Sequence, residues 1–225
     1  MSTRRTSRQA ARRRPRRTHP RTLPSLYRRP LRYEPLEDRH LLALVTVTTP
    51  LDTVDFDDGL TSLREAIFAT NLISGPDEIT FDFGHNGPET IVLTQGELKI
   101  TDDLTITGPG AELLTIDASG SDPTPDDNNS DGTSVFVIND GDTSSQLRVQ
   151  FSGLSITGSD SDGAIKAFEN LALDGLTIHD NWSRTGGGAI GATLFGDASL
   201  EFRDCSFSGN TARRGGGGNT RPYRQ

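Results

Sequence analysis

Val149-Gln150-Phe151-Ser152-Gly153-Leu154-Ser155-Ile156 and Leu171-Ala172-Leu173-Asp174-Gly175-Leu176-Thr177-Ile178 are two versions of one template, 22 residues apart. A third version, Leu200-Glu201-Phe202-Arg203-Asp204-Cys205-Ser206-Phe207, begins 29 residues further on. Each holds two pairs of apolar residues, with one small or polar residue inside each pair. Such alternation puts both members of a pair on the same face of a strand. One extra residue, Gly153, Gly175 or Asp204, separates the pairs and restores the inward phase where the chain bends.

A second set of features recurs with the template. Asn181 stands five residues before Gly186-Gly187-Gly188, and Asn210 five before Gly215-Gly216-Gly217. Gly188-Ala189-Ile190 echoes Gly163-Ala164-Ile165, and Leu104-Thr105-Ile106-Thr107-Gly108 reads as an earlier partial copy of Leu154-Ser155-Ile156-Thr157-Gly158. Glycine permits the tight bends, and a buried asparagine at a turn can bond backbone in the repeats on either side. Units that bury an apolar face only against their neighbours build a solenoid. The chain is therefore expected to be all-β: a right-handed single-stranded parallel β-helix over residues 83–218. A sandwich with unrelated glycine-rich loops does not account for the 29-residue offset shared by two separate features.

Ahead of these repeats lies Thr61-Ser62-Leu63-Arg64-Glu65-Ala66-Ile67-Phe68-Ala69-Thr70-Asn71. Ser62 and Glu65 have the spacing of a capping box. Leu63, Ala66, Ile67 and Ala69–Thr70 form one apolar helical face. The spacing predicts a helix over 62–71, the only convincing one in the chain. It belongs to an N-terminal cap spanning 45–82 and plugs the open first rung.

Composition agrees with a turn-rich β chain. Hydrophobic residues make up 32% and mean hydropathy is −0.49, low for an ordinary globular core but enough for a thin solenoid. Residues 1–40 carry 13 arginines against three acids, a charge of +10, whereas the rest carries −18. The Arg- and Pro-rich stretch 1–44 reads as a disordered leader. It fits an export n-region, a nucleic-acid-binding tail, or residues added by a misplaced start codon. A single cysteine, Cys205, excludes an intrachain disulfide, and no run of about 18 apolar residues encodes a membrane-spanning helix.

Three stretches carry family resemblances. Leu36-Glu37-Asp38-Arg39-His40-Leu41-Leu42-Ala43 resembles the Leu-Glu-Pro-Arg-x-Leu-Leu motif near the start of planctomycete surface proteins, with Asp38 where that family has Pro. Val45–Asp82 resembles the CSLREA segment that precedes β-helices in bacterial surface proteins. The match rests on Val47-Thr48-Thr49, Asp57-Asp58-Gly59, Ser62-Leu63-Arg64-Glu65-Ala66-Ile67 and Asp77-Glu78-Ile79-Thr80-Phe81-Asp82, with Thr61 in place of the family's Cys. Phe207-Ser208-Gly209-Asn210 and the Gly-Gly-x-Ile elements resemble repeats of polymorphic outer membrane proteins; Ile178-His179-Asp180-Asn181 departs from that pattern. The resemblances imply a pectin-lyase-like β-helix that is exported to the cell surface or outer membrane. The scarcity of aromatic residues, 6% of the chain, favours a structural or adhesive role over a sugar-binding groove; the expected partners are cell-envelope glycans or other surface proteins rather than nucleic acid, met as a monomer.

Candidate chemistry is sparse. Asp127-Asn128-Asn129-Ser130-Asp131-Gly132 places Asp127, Asn129 and Asp131 at the first positions of a calcium loop, though Ile138 stands where the bidentate Glu belongs. The same residues also read as a solvated insertion between rungs. Asn139, Asp140 and Asp142 form a second acidic turn. Lyase or hydrolase chemistry on a β-helix would need acids stacked on adjacent rungs. The candidates Asp174, Asp180 and Asp204, near Arg184 or Arg203, form no sustained ladder. Cys205 replaces Leu176 in the template and reads as core, and His85 and His179 read as solvated turn residues. Residues 219–225 are basic and polar where another strand is due, so the chain reads as truncated from a longer parent. The expectation is a surface protein without catalysis; the alternative is a polysaccharide-binding or polysaccharide-cleaving module.

Overall fold

A short strand with one apolar face gains little by itself and is stabilised by lateral pairing. The computed structural model of the protein describes residues 42–213. Most of the Arg-rich leader, residues 36–41 of the export motif, the second glycine triplet Gly215–Gly217 and the tail 219–225 lie outside the described residues.

The chain runs in successive circuits. After β1 (Leu44–Val47) and α1 (Leu63–Thr70) come β2 (Asp77–Phe81), β3 (Glu89–Val92) and β4 (Leu98–Ile100), then β5 (Leu104–Thr107), β6 (Leu114–Asp117) and β7 (Phe136–Ile138). The next circuits add a short strand: β8 (Arg148–Ser152), β9 (Ser155–Thr157), β10 (Asp160–Ser161) and β11 (Ile165–Ala167), followed by β12 (Asn170–Asp174), β13 (Thr177–His179), β14 (Trp182–Ser183) and β15 (Ile190–Ala192). β16 (Leu200–Arg203), β17 (Ser206–Ser208) and β18 (Thr211–Ala212) follow. Corresponding strands form four sheets, ordered β1-β2-β5-β8-β12-β16, β3-β6-β9-β13-β17, β4-β7-β11-β15 and β10-β14-β18. Every strand pair in them is parallel. The described chain is thus all-β with one α-helix.

The register is the one the repeat spacing requires. Leu171 pairs with Val149 and Leu200, Leu173 with Phe151 and Phe202, and Ile178 with Ile156 and Phe207. Ile165 pairs with Ile190, as the Gly-Ala-Ile echo requires. Apolar columns result. Ile79, Ile106, Phe151 and Leu173 stack in one sheet, and Ile91, Ile116, Ile156 and Ile178 in the next, all buried. Burying each such side chain contributes about 1.5–3 kcal/mol.

One equivalence read from the sequence is corrected. Leu104 and Ile106 pair with Val149 and Phe151, not with Leu154 and Ile156. The counterpart of Ser155-Ile156 is Thr115-Ile116. The shared Leu-x-Ile-Thr-Gly string misleads because this circuit spends residues 108–113 on a corner that Gly153 alone turns in the next.

The inserted corner residues have a common backbone: φ is 60° at Gly153, 65° at Gly175 and 49° at Asp204. This left-handed region strains a side chain. A Cβ on Gly153 would also lie 2.8 Å from the Gly108 carbonyl oxygen. Gly153→Ala is therefore expected to lower stability by about 1–3 kcal/mol, read as the urea midpoint. An unchanged midpoint would refute the corner argument.

Local chemistry forms α1. The Ser62 hydroxyl accepts from the Glu65 amide (3.1 Å), and the Glu65 carboxylate accepts from the Ser62 amide (2.8 Å), closing the capping box. Leu63, Ala66 and Ile67 enter the same apolar core as Val47, Ile79, Leu98 and Ile100. Arg64 lies across the helix start. Its Nε and Nη2 donate to the two oxygens of Asp52 (2.7 and 3.0 Å), and Nη2 also donates to the Gly96 carbonyl (2.7 Å). Asp52 in turn accepts from the Thr94 and Gln95 amides (2.7 and 3.0 Å). The Ser-Leu-Arg-Glu-Ala-Ile string thus joins cap, packing face and clamp in six residues. β1 and β2, which flank α1 at the two ends of the cap read from the sequence, are the first two strands of the six-stranded sheet.

Candidate functional site

The chain turns a second corner after β9, β13 and β17, where Gly158, Asp180 and Gly209 all have positive φ. Just past it, the buried Asn181 side chain accepts from the Ser159 amide (3.0 Å). Its Nδ2 donates to the carbonyls of Ile156 (3.2 Å) and His179 (2.8 Å) and to Asn210 Oδ1 (3.0 Å). Asn210 Nδ2 continues the ladder to the Ile178 carbonyl (2.7 Å). The asparagines join neighbouring circuits, as the repeat implied. Asn181-Trp182-Ser183 matches a glycosylation sequon, but its amide is buried and fully engaged.

Beside this ladder lies the acidic loop 119–133. Its Asp131 meets Asp122 and, from β10, Asp160: one carboxylate oxygen of each lies within 4.8 Å of the others. Asp160 is 4% exposed. Its Oδ2 accepts from the Asn129 and Ser130 amides (3.1 and 2.9 Å), a small nest aided by positive φ at Ser130. Its Oδ1 is buried and has no hydrogen-bond partner. Among the described residues, no basic side chain is ion-paired with any of the three acids. Partial burial, reinforced by the Asp131 and Asp160 carboxylates, pushes the Asp122 carboxyl above its ordinary range despite the Thr124 amide on its Oδ1.

This grouping differs from the set read in the sequence. Of Asp127, Asn129 and Asp131, only Asp131 joins it. Asp127 is exposed and outside the cluster. Asn129 spends its side chain on Thr124 Oγ1 (2.6 Å) and the Asp131 amide (2.9 Å). The sequence reading named Asp122 among the acids of the 119–133 loop but not in the calcium-loop set, and it missed Asp160, although a signal for Asp160 existed. Phe136 pairs with Ile165 at an offset of 29 residues, and that offset also carries Asp131 to Asp160.

The second acidic turn surrounds Glu169, which is 3% exposed and accepts from the Leu147 amide (3.3 Å). Burial raises its carboxyl, the Leu147 amide opposes this, and Asp140 and Asp142 raise it further. A carboxyl raised in the folded state binds protons more tightly there than in the unfolded chain. Stability therefore falls as pH rises through the folded-state value, and the ionised form is a burden at neutral pH. Glu169→Gln is expected to raise the melting temperature at pH 7 by a few degrees, with a smaller effect near pH 4. A lowered melting temperature at pH 7 would contradict it.

The candidate catalytic acids do not converge. Asp174 faces Arg203 one circuit away at 3.6 Å, Asp180 pairs with His179 at 2.9 Å, and Asp204 occupies a corner. His85 and His179 are each half-exposed or less and each engages a carboxylate. Burial pushes the Cys205 thiol upward, away from the reactive thiolate, and it packs against the core edge. The outer face of the six-stranded sheet holds a groove of about 580 Å³, lined by Asp103, Thr105, Arg148, Gln150, Asn170 and Glu201 among others. No aromatic side chain lines it.

No protein-family model, curated protein or solved structure matches the chain. Among the described residues, no helix is long and apolar enough to cross a membrane.

Proposed function

We propose that this chain is an exported cell-surface protein whose right-handed single-stranded parallel β-helix is a structural or adhesive scaffold rather than a catalyst. The observation that carries the reading is the circuit order: the parallel sheets are visited in the same sequence in successive circuits, the fourth joining from β10 onward, with apolar columns inside. Parallel crossovers are right-handed in about 98% of cases, which supports the hand. Export rests on the Arg-rich leader and the Leu36–Ala43 resemblance, and the surface role on the CSLREA-like and outer-membrane-repeat-like segments. The candidate acids lie at separate positions, which favours a scaffold over a hydrolase. The chain then acts as a monomer that meets cell-envelope glycans or other surface proteins along its lateral faces.

The groove on the six-stranded sheet favours a second reading, a polysaccharide-binding module. Asp103, Arg148 and Glu201 offer hydrogen bonds and charge to a hydroxyl-rich or uronic ligand. The absence of an aromatic stacking platform counts against tight sugar binding.

The test is to express the full-length chain in a bacterium, digest intact cells with protease, and incubate the purified chain with cell-envelope glycans and acidic polysaccharides. The scaffold reading expects protease-accessible protein at the surface and retention on envelope material without chain cleavage. Depolymerisation of a polysaccharide would establish the enzymatic alternative. Retention in the cytoplasm with nucleic acid would overturn both.

A further inference from the structure

We propose that Asp122, Asp131 and Asp160 form a calcium site that fastens the 119–133 loop to the neighbouring circuit. The three carboxylate oxygens fit one ion. At about 2.4 Å per bond, two oxygens on opposite sides of a calcium stand about 4.8 Å apart, and these three lie within 4.8 Å of one another. Like charges so placed, with no paired base among the described residues, repel one another, and a bound cation relieves that repulsion.

A second observation points independently to a ligand. Asp160 is buried, Oδ2 is held by two loop amides, and Oδ1 has no partner. Of the six buried side-chain oxygens without partners among the described residues, four belong to Ser130, Thr133, Ser159 and Asp160, at or beside this cluster. Native proteins rarely leave such atoms orphaned, and an ion with its water resolves them.

Oxygen donors alone select a hard cation. Magnesium needs near-ideal octahedral geometry at about 2.1 Å and sheds water reluctantly; calcium accepts six to eight oxygens in irregular loops. The irregular loop, with Ser130 in the left-handed region, matches calcium better. The bond joins a loop after β6 to β10 one circuit on, so binding cross-links positions far apart in sequence. The site does not depend on the surface role proposed above.

The experiment uses the full-length chain stripped with chelator and titrated with calcium chloride, followed by calorimetry and melting. At calcium a hundredfold above Kd, the melting temperature is expected to rise by about 5–10 °C, and by less with magnesium chloride. Asp131→Asn and Asp160→Asn are expected to weaken binding at least tenfold and remove the rise. Asp127→Asn, outside the cluster, leaves both intact. The Thr124 hydroxyl donates to both Asp131 oxygens (3.1 and 3.0 Å), and Asp131→Asn also raises the metal-free melting temperature by removing one like charge, a gain that a purely structural role in accepting that hydrogen bond does not give. If Asp160→Asn fails to fold, Asp122→Asn and Asp131→Asn, at partly exposed and exposed positions, decide the matter. No calcium-dependent rise in the parent chain, or a full rise surviving in Asp131→Asn, overturns the site.

Discussion

Replacing Asn181 with alanine is expected to cost about 3–5 kcal/mol. The truncation removes four side-chain hydrogen bonds and strands the Ser159 amide in the interior. Each buried backbone group left unpaired costs about 1–3 kcal/mol. Asn181→Asp probes the donors alone. A carboxylate can still accept from Ser159, but it turns negative charge on three acceptor oxygens, so the loss at pH 7 is expected to be as large. Protonation restores one donor, so part of the stability returns as pH falls. Urea unfolding followed by circular dichroism measures both variants. A loss below about 1 kcal/mol for Asn181→Ala would mean that the ladder is decoration on a stack held by its apolar columns.

The second large effect is at Asp52. Its side chain is 1% exposed and anchors Arg64 and two amides of the loop after β3. Asp52→Ala leaves a guanidinium largely out of solvent without its counter-charge, and breaking one side of a buried pair costs about 3–5 kcal/mol. A melting-temperature drop of roughly 10 °C is expected. Arg64→Lys is not expected to be silent, because an ammonium cannot span both Asp52 oxygens and the Gly96 carbonyl together. A drop confined to one or two degrees would mean that α1 is held by Leu63, Ala66 and Ile67 alone.

The repeat template was legible because strand alternation and stacking act over a fixed period. Once Val149, Leu171 and Leu200 are aligned, the pairing of three circuits follows. The helix was legible because a capping box is local. The earlier circuits were harder: with residues 108–113 inserted at a corner, string similarity matched Leu104-Ile106 to the wrong strand, whereas pairing follows position in the circuit. Asp52 left no trace in the sequence, since its partners include backbone amides 42 and 43 residues away. The acidic loop was found, but the grouping was drawn only from within it. A loop motif considers the residues of that loop alone, whereas the most buried acid of the cluster, Asp160, comes from the neighbouring circuit.

The corner that takes one residue at Gly153 and six at 108–113 has a consequence for growth. Strand spacing, about 4.8 Å, fixes the height each circuit adds, whatever the number of residues spent at its corners. Length along the stack and relief on its flanks are therefore independent variables. Insertions at corners can diversify the profile of the molecule without disturbing its ruler, and duplication of a circuit can extend the ruler without altering the profile already built.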